Sequence, residues 1–186
     1  MPIPLGILAA AGFRPAAAGD FVLLETQVLG SNQSSVTFSG LAAYASQYRH
    51  LQVRISATTS VNTDVRYQLN GDTGNNYAFH ALYGTGSSVI SGAVTSTNGG
   101  YVGFSKLTAA SGNQYAAIVD FLDAWQTTKN KVARSFFGNR HSDSDPLIML
   151  NSALWQNTSA ITSISFYNAA GGTINATSRF SLYGVK

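Results

Sequence analysis

Three histidines are the first side chains to test for chemistry. His50 stands in Tyr48-Arg49-His50-Leu51 and His80 in Phe79-His80-Ala81, and neither has a carboxylate or a second histidine at metal-ligand spacing. Each reads as a hydrogen-bonded structural histidine. The run His141-Ser142-Asp143-Ser144-Asp145 is the most metal-like cluster, because alternate positions of an extended segment would converge an imidazole and two carboxylates. It falls in a polar connection before Pro146, a composition common in loops that hold nothing. The segment Asn70-Gly71-Asp72-Thr73-Gly74-Asn75 has the oxygen-rich pattern of a calcium loop. Gly74 occupies the fifth position, where an oxygen ligand is needed, and the bidentate glutamate is missing. A tight hairpin turn explains it better, so no metal ligand is assigned.

Acid/base chemistry on a glycosidic bond needs two positioned carboxylates. Asp120 and Asp123 are the carboxylates inside an apolar run, and a spacing of three sends them to opposite sides of a strand. No G-x-S-x-G elbow is present, and Gly84-Thr85-Gly86 lacks the rest of a phosphate loop. No catalytic residue and no cofactor follows from these patterns, and the chain reads as a non-enzyme.

The elements around these residues are strands. From Phe21 onward, short runs of period two alternate with Gly, Asn, Ser and Asp clusters. Leu51, Val53 and Ile55 oppose Gln52 and Arg54; Val65, Tyr67 and Leu69 oppose Arg66 and Gln68; Ile164 and Phe166, then Phe180 and Leu182, repeat the pattern. Each is the signature of a strand buried on one face. Tyr115 to Trp125 differs in being apolar on both faces, which suits a strand sandwiched between layers or covered by a neighbouring subunit. Leu147 to Leu150 and Ala153 to Trp155 form the other dense apolar stretch, and Leu41 to Gln47 reads as a helical turn.

Composition agrees. Of the 186 residues 45% are hydrophobic, but only 10% are charged, against roughly 25% in an ordinary soluble domain. A single glutamate and four lysines leave little to clothe a helix surface. The arginines are scattered, so no basic stripe for nucleic acid exists despite a net charge of +3. Zero cysteines remove disulfides and thiolate sites. At the N-terminus, Pro2, Ile3, Pro4, Leu5, Ile7, Leu8 and Phe13 make an apolar stretch without a basic leader region, interrupted by proline and too short to span a bilayer. We expect residues 1–19 to be an apolar arm and linker, and residues 20–186 to be an all-β antiparallel sandwich.

The segment from Val65 to Ser88, with its strand, Asn70-Gly71-Asp72 and Asn76-Tyr77 turn, second strand bearing His80, and Gly84-Thr85-Gly86 tail, resembles small virion structural proteins of tailed bacteriophages. Gln27-Val28-Leu29-Gly30, Tyr48-Arg49-His50-Leu51, Leu154 to Ile161 and the ending Phe180 to Lys186 fit the same series. The resemblance implies a jelly-roll-like sandwich on the exterior of a virion, decorating or cementing the capsid or serving as a tail-accessory subunit. Its partners would be itself, as a homotrimer, and the major capsid or tail proteins, with no nucleic acid or membrane. The apolar arm would make the docking contacts. A second reading is a fibre or spike tip that recognises a host-surface glycan, with Tyr44, Tyr48, Tyr101, Trp125 and Tyr167 stacking on sugar rings.

Overall fold

The structure, a computed structural model, describes residues 19–105, 114–140 and 146–186. The assembly arm expected at residues 1–13 and the cluster His141 to Asp145 lie outside the described residues.

Twelve strands follow one another: β1 Phe21–Val28, β2 Ser35–Phe38, β3 His50–Ala57, β4 Thr63–Leu69, β5 Tyr77–Gly84, β6 Val89–Thr97, β7 Gly100–Ser105, β8 Tyr115–Leu122, β9 Lys131–Arg140, β10 Pro146–Trp155, β11 Ile164–Asn168 and β12 Arg179–Val185. A 3-10 turn, Leu41–Tyr44, replaces the expected helical turn. Among the described residues no helix is long and apolar enough to cross a membrane. The strands form two antiparallel sheets packed as a sandwich, one of eight in the order β1-β12-β3-β8-β9-β10-β5-β6 and one of four in the order β2-β11-β4-β7.

The period-two runs face inward as their spacing requires. Leu51, Val53 and Ile55 of β3 and Val65, Tyr67 and Leu69 of β4 are all buried. Tyr67, from the smaller sheet, sits edge-on to Phe121 of the larger sheet with ring centroids 4.9 Å apart, and Phe166 meets Phe180 at 5.5 Å. Such rings bury large areas and lock the two sheets in register.

Asn70-Gly71 is a turn, with φ of 54° and 70° at the two positions, the left-handed values that Asn and Gly tolerate. It does not close a hairpin, because β4 and β5 belong to different sheets. The Asp72 carboxylate accepts from Trp155 Nε1 at 2.7 Å and from the Gly74 amide at 2.9 Å. The oxygen-rich loop is thus a corner clamped to a buried tryptophan.

The edge strand β7 lies over β9 and β10 of the larger sheet. Its buried carbonyls would lack partners, and side chains from below supply them. Ser135 Oγ donates to Val102 O at 2.9 Å, Asn139 Nδ2 to Phe104 O at 3.1 Å, and Asn151 Nδ2 to Tyr101 O. Close approach also requires glycine here: a Cβ on Gly103 would enter the Phe137 ring, and one on Gly100 the Tyr67 ring. Asn151→Ala is expected to lower stability by about 1–3 kcal/mol, since it strands the Tyr101 carbonyl in the core. Urea denaturation checks this: the midpoint should fall with the far-ultraviolet circular dichroism of the native state unchanged.

Candidate functional site: the open face of the larger sheet

Eight strands cannot be covered on both sides by four. The inner face of the larger sheet carries the core, and the outer face is bare among the described residues. On β8, Tyr115, Ala117, Val119 and Phe121 point inward and are buried, while Ala116 and Ile118 point outward. The strand ends at Leu122, short of the expected Trp125. On β9 the usual sense is inverted at three inward positions, beside the buried Ala133 and Phe137. Lys131, Ser135 and Asn139 face in, because they cap backbone carbonyls, and Val132 and Phe136 face out.

Strand pairing lines these outward side chains into rows. Ile118, Phe136, Leu150 and Leu82 are direct neighbours across β8, β9, β10 and β5. They are 40%, 48%, 55% and 47% exposed. Ile148, 55% exposed, adds to the next row beside the small residues Gly138 and Gly84. On the other side runs a polar row, Asp120, Arg134, Ser152 and His80. Asp120 Oδ2 lies 3.5 Å from Arg134 Nη2, and Asp120 Oδ1 accepts from Gln52 Nε2 at 2.8 Å. A depression of about 660 Å³ opens between His80, Leu82, Arg134, Leu150 and Ser152, and a smaller one of about 230 Å³ between Phe136, Ile148 and Val89. Toward β1 the Arg54 guanidinium lies 4.5 Å from the Tyr183 ring centroid and 5.9 Å from that of Phe21, and Phe21 and Leu23 of β1 are themselves exposed.

His80 is therefore not the hydrogen-bonded structural histidine its sequence context suggested. It is exposed on this face, and its imidazole makes no hydrogen bond among the described residues. His50 does fit the structural expectation: its Nδ1 accepts the Asp123 amide at 2.8 Å. Asp120 and Asp123 are not paired. The first lies on the open face, and the second lies past the strand end with φ of 47°.

A second concavity, about 540 Å³, lies at the end of the sandwich between the segment Ala45 to Arg49 and the loop after β8. Tyr48 and Trp125 both line it, and Tyr44 tilts against Tyr48 at 6.5 Å. Two other aromatics weighed for sugar stacking are placed elsewhere. Tyr101 is buried, stacked on Phe79 at 4.5 Å, and Tyr167 packs in the smaller sheet with its hydroxyl donating to Asn98 O at 3.4 Å. Ion pairs brace this cleft: Asp123 binds Lys129 and takes a 2.6 Å hydrogen bond from Arg49 Nε. Buried Lys131 donates to Thr158 O at 2.9 Å and to the Gln126 carbonyl, tying the loop after β8 to the loop after β10. Among the described residues no three His, Asp or Glu side chains come together as a metal site would need. No family model, curated protein or solved structure matches the chain, so its role is argued from its own residues.

Lys129, and then Arg49, hold the Asp123 carboxyl at a pKa of about 2, below the usual carboxylate value of ~4. A depressed value means that folding favours the ionised form, so this contribution is complete above about pH 4 and is lost as pH falls towards 2. The urea midpoint is expected to drop on acidification across that window. Asp123→Asn should lower the midpoint at pH 7 and flatten that part of the profile.

Proposed function

We propose that this chain is a structural protein of a tailed-phage virion, an exterior decoration, cement or tail-accessory subunit that works through protein contacts. The observation that carries the reading is the open face of the larger sheet, a run of large apolar side chains on strands whose other side is already core. A monomer rarely exposes an apolar patch beyond a few hundred Å², so this face belongs in an assembly. Strand order adds support. β1-β12-β3-β8 in one sheet and β2-β11-β4-β7 in the other can be drawn as two nested Greek keys, which favours the jelly-roll reading. The hairpins β5-β6 and β9-β10 then extend the first group.

The apolar residues Ile3, Leu5, Ile7 and Leu8 supply a second contact, to the major capsid or tail protein. Their burial would contribute roughly 6–12 kcal/mol before ordering costs, which are several kcal/mol. The runner-up, recognition of a host-surface glycan, is favoured by one feature only, the meeting of Tyr48 and Trp125 in one polar cleft.

Immunogold labelling of purified particles tests the assignment: label is expected on the head or tail exterior, and particles free of label would contradict it. Deleting residues 2–13 is expected to leave a folded domain that no longer joins particles. Wild-type occupancy by the truncated protein would show that the arm is not the anchor.

A further inference from the structure

We propose that the open face of the larger sheet is covered by the same face of a second copy, related by a two-fold axis that runs parallel to the strands between β9 and β10. The inference rests on the assembly reading above and assigns its surface and its occupant.

The rows of the face are self-complementary about that axis. Rotation exchanges β9 with β10 and β8 with β5 of the other copy while keeping the level along the strands. Phe136 then meets Leu150, and Ile118 meets Leu82, so the apolar row falls on itself. Ile148 meets Gly138, a large side chain over a missing one, and Ala116 meets Gly84. In the polar row Arg134 faces Ser152, and Asp120 faces His80. A two-fold axis laid along the polar row instead would set Arg134 against Arg134, so charge disfavours that arrangement. Two faces packed this way would keep the ordinary aligned geometry of stacked sheets.

Size favours a copy over a narrower occupant. From β3 to β6 the face spans six strands, roughly 29 Å by 27 Å, or roughly 800 Å². That matches the ~800 Å² per partner of a stable interface. A single extended segment covers about one strand spacing, ~5 Å. An isologous face closes on two copies, so the trimer expected from the sequence would have to be built with other surfaces.

Charge-pair rescue on the full chain tests the proposal. Phe136→Lys and Leu150→Glu each put one charge at the centre of the interface, on exposed positions where the monomer fold should tolerate it. In sedimentation, the wild type is expected to be a dimer at micromolar concentration. Each variant alone is expected to be monomeric, its dissociation constant raised roughly 100-fold or more. An equimolar mixture should dimerise again, because the introduced lysine of one copy faces the introduced glutamate of the other. If either variant loses its far-ultraviolet circular dichroism, the pair Ile118→Lys and Leu82→Glu replaces it with the same expectation. A monomeric wild type overturns the proposal, including the case in which residues 2–13 cover the face. Variants that stay dimeric, or a mixture that stays monomeric, overturn it as well. None of these outcomes changes whether the protein is found on particles, so a failed pairing and a failed virion reading are told apart.

Discussion

The structure depends on a mismatch in strand number. Four strands can cover one side of an eight-stranded sheet and no more, and the inner side takes that cover because Tyr67, Phe166, Phe121 and Phe180 fill the space between the layers. The outer side of β8, β9, β10 and β5 is left with Ile118, Phe136, Leu150 and Leu82. Placing such side chains in water costs free energy in proportion to apolar area. A chain with one sandwich has no second layer to offer among its described residues, and in our proposal association removes the cost.

The inner side has its own difficulty. Where β7 closes over the larger sheet its edge carbonyls are sealed from water, and a buried carbonyl needs a donor. β9 and β10 provide Ser135, Asn139 and Asn151 inward for this purpose. Those strands commit some inward positions to polar caps, beside buried Phe137, Met149 and Trp155, and carry Val132, Phe136, Ile148 and Leu150 outward. Edge capping and the sticky face are two sides of the same strands.

The same inversion limited what the sequence disclosed. Strands with apolar residues inward, such as Leu51 to Ile55, Val65 to Leu69 and Phe180 to Leu182, were legible from period two, as were the all-β class and the turns. Lys131 to Arg140 was not legible as a strand, because its buried positions include Lys, Ser and Asn. Val89 to Thr97 escaped because Ser, Gly, Ala and Thr dominate a strand exposed along most of its length. The two-faced character of Tyr115 to Leu122 was visible, but the rows that join Ile118 to Phe136, Leu150 and Leu82 come from pairings distant in sequence. Likewise, nothing in the spacing of Tyr48 and Trp125 marks them as neighbours, whereas the burial of Tyr101 follows from its place on β7, where its ring stacks on Phe79 of the larger sheet.

The absence of cysteine from the chain makes one measurement especially direct. Ser152, exposed near the middle of the open face, can be replaced by Cys and its rate of maleimide labelling followed against protein concentration. If the face is buried by association, labelling should slow as concentration rises, while a Cys placed at the exposed Thr37 of the smaller sheet keeps its rate. Equal and concentration-independent rates at the two positions would contradict burial of this face.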